Sequence, residues 1–149
     1  MSAFGFSLIF AVNALVFGIG AGASIKFKTP RQSTFFGSVG LLAFSVALLL
    51  AMLLGAIFWL YECLVLAMLA CIGTCFSSSV ALAMNEAHER AGAASALVGA
   101  IIFVLGGVVS PLVGMGDIVV STSLIFVVCG VLALGFCLRF MQLDDTSCQ

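Results

Sequence analysis

The chain has 149 residues, 64% of them hydrophobic and only 7% charged, with five Lys/Arg against six Asp/Glu and a net charge of -1. A soluble domain carries about 25% charged residues, so too few polar groups are present to cover a water-facing surface. With a mean hydropathy of +1.37, the composition points to lipid as the solvent and excludes a basic nucleic-acid patch, an acidic tail and a low-complexity linker.

The charged residues divide the chain into charge-free runs at 1–25, 32–61, 63–85, 91–116 and 118–138. A bilayer core is about 30 Å thick, so a helix rising ~1.5 Å per residue needs ~20 apolar residues to cross it. Every run meets that length. An open strand leaves its backbone unsatisfied in lipid, and a closed barrel needs short alternating segments. The runs therefore predict an all-α, polytopic bundle of five transmembrane helices forming one domain over 1–149.

The first span is read at 6–25. Its polar residues are Ser7, Asn13 and Ser24, and Gly18, Gly20 and Gly22 keep its second half smooth. No positive charge precedes it, so it does not read as a secretory signal. The loop 26–32 follows, where Pro30 disfavours helix at Thr29. The second span is read at 34–58 and leads into Trp59, Tyr61 and Glu62. Those rings are the chain's one Trp and one Tyr, and both suit a membrane interface. The third span, 63–85, ends in a short loop, 85–90. The fourth is read at 91–114 and the fifth at 118–138, ending at Arg139. The tail 142–149, with Asp144 and Asp145, is expected to be mobile.

Threading five spans with the 26–32 loop inside puts Lys26, Lys28, Arg31, Arg90 and Arg139 all inside, and Glu62 and Asp117 outside. That is the positive-inside pattern. It predicts an outside N-terminus and an inside C-terminus.

Small residues let helix backbones approach in lipid, where burial alone drives little association. They recur every fourth position: Ala43, Ala47, Ala51 and Gly55 in the second span, and Ala67, Cys71, Cys75, Ser79 and Ala83 in the third. The fourth carries Gly92, Ala96 and Ala100, then Gly106, Ser110 and Gly114. Residues four apart share a helical face, so each set reads as a packing seam. Gly106, Gly107 and Pro111 predict a bend in the fourth span, either a gate or a static kink, because proline cannot donate to the carbonyl four residues back. The six cysteines have no oxidising pair on one face and read as small packing residues. No metal or cofactor is expected.

No Asp, Glu, Lys, Arg or His lies inside a predicted span, so no proton-coupling group is evident there. No catalytic set is visible either; His88 sits in a loop beside Glu86, Glu89 and Arg90 and reads as solvated. The chain is not expected to be an enzyme. The candidates for lining a substrate cavity are Asn13, Thr74, Ser78 and Ser110. An amide such as Asn13 must find a partner or water in lipid, which a neighbouring helix supplies as well as a cavity does.

The stretch Asn85-Glu-Ala-His-Glu-Arg-Ala-Gly-Ala-Ala-Ser-Ala-Leu-Val-Gly99 resembles the loop before the eleventh helix of major facilitator drug exporters, most closely the bicyclomycin/chloramphenicol resistance (Bcr/CflA) group. Arg90–Ala96 matches that group's Arg-Ala-Gly-x-Ala-Ser-Ala, and Gly106–Gly107 fits the glycine-containing helix after it. Ala11-Val-Asn-Ala-Leu15 resembles the start of the eighth helix. The loop with Lys26 and Arg31 resembles a weak copy of the family's loop motif, without its Asp and second Gly and with Gln32 where a basic residue is common. The resemblance implies helices eight to twelve of a twelve-helix drug/proton antiporter in the bacterial inner membrane. It implies a drug-like substrate and a need for the remaining helices, from a companion polypeptide or an adjoining reading frame. The alternative is a small five-span scaffold that binds other membrane proteins through its small-residue seams.

Reporter fusions test the orientation. Fusions within 26–32, within 85–90 and at the C-terminus are expected to read cytoplasmic, and one after Tyr61 is expected to read outside. A cytoplasmic signal after Tyr61 would overturn it.

Overall fold

The computed structural model describes residues 3–55, 57–87, 90–113 and 118–147. Among them are five long helices: α1 (Ala3–Ala23), α2 (Pro30–Leu53), α3 (Phe58–Glu86), α4 (Ala91–Val113) and α5 (Ile118–Ser147). A 3-10 turn, Ser24–Lys26, closes α1, and no strand occurs among the described residues. All five helices are long and apolar enough to cross a membrane. The all-α fold expected from the charge-free runs is the fold observed.

The helix ends follow residues that dictate backbone geometry. Helix α2 starts at Pro30, not near residue 34. Thr29 is extended, as a residue before proline should be, but the proline ring then serves as the first helical residue. Thr29 Oγ1 caps the helix by accepting from the Gln32 N–H at 3.3 Å. At its far end α2 stops at Leu53, short of residue 58. Gly55, read from spacing as the last step of a packing stripe, instead lies beyond the helix with φ +70°. That left-handed conformation suits glycine and ends helices. Trp59 and Tyr61 therefore belong to the first turns of α3 rather than to a loop after α2. Helix α5 runs on to Ser147, so the stretch from 142 expected to be a mobile tail is helical up to that residue.

Helix α2 lies at the centre, with α3 along one side and α5 along another, while α1 packs on α3. The core is a small cluster of Leu41, Leu48 and Met68, flanked by Phe44, Leu64, Ile72 and Phe126. Helix α4 touches α3 and α5 only lightly, and Leu97, Phe103, Leu105 and Val108 on it are exposed.

Glycine makes the seams. A Cβ on Gly20 of α1 would run into the Ala70 carbonyl of α3, and one on Gly73 of α3 into the Phe17 carbonyl of α1. Between α2 and α3, a Cβ on Gly37 would come within 3.0 Å of Cys75, and one on Gly40 within 2.6 Å of Cys71 Sγ. Gly130 of α5 presses on Leu42, whose Cα would lie 3.1 Å from an added Cβ. The α2 line that is buried runs through Gly37, Leu41, Ser45 and Leu48. Of the alanines read as a seam, Ala51 is buried, Ala47 partly so and Ala43 exposed.

Gly73→Ala is expected to push α1 from α3 and cost roughly 1–3 kcal/mol, as overpacking does. The readout is a lower unfolding temperature in detergent. Gly106→Ala, where an added Cβ meets nothing within 4 Å, is expected to stay within about ±0.5 kcal/mol. Equal effects at both positions would refute the assignment of the seam.

Candidate functional site

The polar side chains of the bundle concentrate where α1, α2 and α3 meet at the end that carries Arg31. Thr74 Oγ1 lies 2.9 Å from the carbonyl of Ala70 on its own helix and 2.9 Å from that of Gly20 on α1. A helical threonine ordinarily returns its hydroxyl to the carbonyl four back; the close approach at Gly20 brings a second carbonyl into range. One turn on, the Ser78 and Ser33 hydroxyls share a 2.7 Å hydrogen bond between α3 and α2, and Ser78 Oγ also lies 2.8 Å from the Thr74 carbonyl. Ser24 donates to the Ala21 carbonyl at 2.7 Å and sits 3.4 Å from Ser77 Oγ. Ser33 and Ser78 are almost fully buried.

Arg31 stands in the first turn of α2. Its Nη2 donates to the Met141 carbonyl of α5 at 2.8 Å. Its guanidinium carbon lies 6.0 Å from the centre of the Phe140 ring, within cation–π range. The arginine thus ties the start of α2 to the last turns of α5. It also walls a cavity of about 300 Å³ with Thr34, Cys75, Ser79, Phe136 and Phe140.

The residues singled out in the sequence do not converge on one site. Thr74 and Ser78 come together, but their hydroxyls are engaged between helices. Asn13 lies on α1, half-buried, and its Oδ1 is shielded from solvent without a hydrogen-bond donor among the described residues. Ser110 is exposed on α4. An added Cβ at Gly106 or Gly107 meets nothing. Pro111 lies inside α4, which continues through it to Val113. Lys26 and Arg90 are exposed in the connections, and the Arg90 N–H donates to the Ala87 carbonyl at 2.7 Å. His88, Glu89, Gly114 and Asp117 lie outside the described residues.

Sequence reasoning missed Ser33, Gly37, Gly40, Gly73 and Gly130 as contact residues. A signal was present for two of them. Gly37 and Gly40, three apart, meet Cys75 and Cys71, four apart, as antiparallel faces do. The Arg31–Met141 bond spans 110 positions and leaves no local trace.

The Ser33–Ser78 bond is best weighed by a double-mutant cycle. With Ser33→Ala and Ser78→Ala, unfolding in detergent is expected to give a coupling of about 0.6 kcal/mol, and at most ~1.7, as for hydroxyl pairs between membrane helices. A coupling of zero would mean that the two hydroxyls act independently.

No known family profile matches the chain, and no solved structure does. The chain is similar to a protein of Bacillus subtilis (strain 168) described as the uncharacterized MFS-type transporter YdgK. The two are 32% identical over 118 residues, which cover 75% of this chain and 29% of YdgK. The chain therefore spans under a third of the length of that relative. The similarity supports membership of the major facilitator superfamily at the broad level. With five helices long and apolar enough to cross a bilayer, it supports an integral multi-pass membrane protein.

Proposed function

We propose that this polypeptide forms helices eight to twelve of a major facilitator exporter of the Bcr/CflA kind, moving drug-like compounds in exchange for protons across a bacterial inner membrane. The observation that carries the reading is the likeness to a named transporter over most of this chain but under a third of that relative. The remaining helices then come from another stretch of polypeptide. The exposed apolar faces fit that arrangement: Phe6, Phe10 and Leu15 on α1, and Leu97, Phe103 and Leu105 on α4. Major transporter folds place substrate near the bilayer midplane, between repeats that rock against each other.

On this reading Asn13 is the group with most to offer a substrate. Its amide oxygen lacks a donor among the described residues, and a buried polar atom in lipid is stabilised by acquiring one. Thr74 and Ser78 hold the seams further along the bundle, at the level of Gly20 and Ser33, and Ser110 faces the added helices. Gly106, Gly107 and Pro111 form a pliant stretch of α4 that serves the gate. Proton coupling falls to acidic residues outside this chain.

The test is efflux of ethidium and chloramphenicol from cells stripped of their own exporters. Cells making only this chain are expected to accumulate both compounds like controls. Cells also supplied with the coding sequence upstream, completing twelve helices, are expected to export them, and a protonophore is expected to stop export. Asn13→Ala in the complete assembly is expected to lower export about two- to tenfold, the worth of one hydrogen bond. Export by this chain alone, or none by the complete assembly, would overturn the proposal.

A further inference from the structure

We propose that the thiols of Cys75 on α3 and Cys137 on α5 form a two-sulfur site, in the cleft between those helices, for a soft metal ion that takes two sulfurs in line, such as Cu(I) or Hg(II). The inference rests on the bundle alone and stands apart from the transport reading.

Helix α2 sets the level of both cysteines. Cys75 lies against Gly37, under two turns along α2 from Arg31. Cys137 precedes by about one turn Met141, whose carbonyl Arg31 reaches. The two therefore stand at nearly the same depth, on the two helices that flank α2. Both border the cavity of about 300 Å³ between α3 and α5, and they interact electrostatically across it. Ser79 borders the same cavity, and its hydroxyl hydrogen-bonds the Cys75 side chain. Cys137 is buried and Cys75 half-buried, and both thiols are free. Read from spacing, the cysteines are packing residues, because the second sulfur comes from a helix far along the chain.

The gap and the ligand count select the occupant. A direct disulfide needs Cα atoms ~4.4–6.8 Å apart, whereas α3 and α5 make no extensive contact among the described residues. An ion between the sulfurs extends their reach by about 2.3 Å on each side. No group of three His, Cys, Asp or Glu that could hold a metal comes together among the described residues. That excludes tetrahedral zinc, which needs more ligands, and leaves ions satisfied by two thiolates. Soft ions prefer such sulfurs. On binding, each thiol gives a proton to water, two metal–sulfur bonds form and the ion's former ligands leave; nothing is oxidised or reduced. The neighbouring groups do not compete. Arg31 is a wall of the cavity and not a ligand, since its guanidinium is held by the Met141 carbonyl and the Phe140 ring. Glu86 lies about three turns beyond Cys75 on α3. Cys71 packs its sulfur against Gly40 in the seam with α2.

The experiment uses the 149-residue chain, reduced and in mild detergent, with Hg(II) as the probe at one ion per chain. In the monomer fraction, X-ray absorption is expected to show two sulfur neighbours and no chloride. Alkylation with N-ethylmaleimide, mapped by mass spectrometry, is expected to find Cys75 and Cys137 protected by the ion, and Cys63, Cys71 and Cys129 labelled as in its absence. Zn(II), offered in the same way, is expected to wash out. Cys75→Ser and Cys137→Ser are each expected to weaken retention against added cysteine about a hundredfold, through loss of the second, intramolecular bond. Cys71→Ser is expected to leave retention unchanged. Circular dichroism confirms that each variant keeps its helix content. A single sulfur neighbour, or protection of any other pair of cysteines, would overturn the proposal without any variant. So would retained Zn(II), or unchanged retention of Hg(II) in folded Cys75→Ser or Cys137→Ser.

Discussion

The bundle depends on places where one helix backbone lies directly against another. In lipid a leucine gains little by moving from an acyl chain to a neighbouring helix, so association rests on close van der Waals contact and on hydrogen bonds between helices. Helix α3 makes both kinds. Toward α1 it offers Gly73 and Ala70 to the backbone around Phe17 and Gly20. Toward α2 its Cys71 and Cys75 meet Gly40 and Gly37. Each glycine removes a side chain from the seam, and the neighbour occupies the space: a carbonyl at Gly20 and Gly73, the Cys71 thiol at Gly40, and the Cys75 backbone and Cβ at Gly37. The aliphatic core of Leu41, Leu48 and Met68 then fills the gap that the seam defines.

The hydrogen bonds follow from that approach. Thr74 reaches the Gly20 carbonyl because Gly20 has no side chain to hold α3 away. Ser33 and Ser78 meet for a related reason, one turn beyond the Gly37–Cys75 contact. The buried serines Ser38 and Ser45 return their hydroxyls to their own helix, at the Phe35 and Leu41 carbonyls, and so add no helix-to-helix specificity beyond a 3.6 Å approach of Ser45 to Met68 Sδ. The polar residues therefore divide by function in the fold. Thr74, Ser33 and Ser78 join helices, whereas Ser38 and Ser45 satisfy themselves within α2. Asn13 fits neither group, which is what makes it the strongest candidate for contact with something outside the bundle.

Much of the architecture was legible because composition and charge act over whole helices. Five apolar runs long enough to cross a bilayer became five helices. Boundaries were less legible, since single residues decide them. Pro30 suits a turn by sequence and stands as the first residue of α2, because a fixed φ suits a helix start as well as a turn. Gly55 matched a four-residue repeat by spacing alone, yet its positive φ ends the helix. The seams were least legible. A repeat of small residues shows which faces allow close approach but not where a neighbour's backbone will lie. Ala43 is exposed for that reason, while Gly37 and Gly40, off the repeat, carry the contact.

Helix α4 shows what that distinction means for function. It has small residues as regularly spaced as those of α3, at Gly92, Ala96 and Ala100, yet added side-chain carbon at Gly92, Gly99, Gly106 or Gly107 would touch nothing. Glycine in a helix interior costs roughly 1 kcal/mol relative to alanine, a cost that Gly20 of α1 and Gly73 of α3 offset through their seam. On α4 no seam within the described bundle offsets it. Under the transporter reading the balance is restored by helices from outside this chain, which need a smooth, pliant surface to slide against. The same argument sets α2 apart, because its glycines are already committed to α3. The chain thus has a packed side, built on α2 and α3, and an uncommitted side on α4.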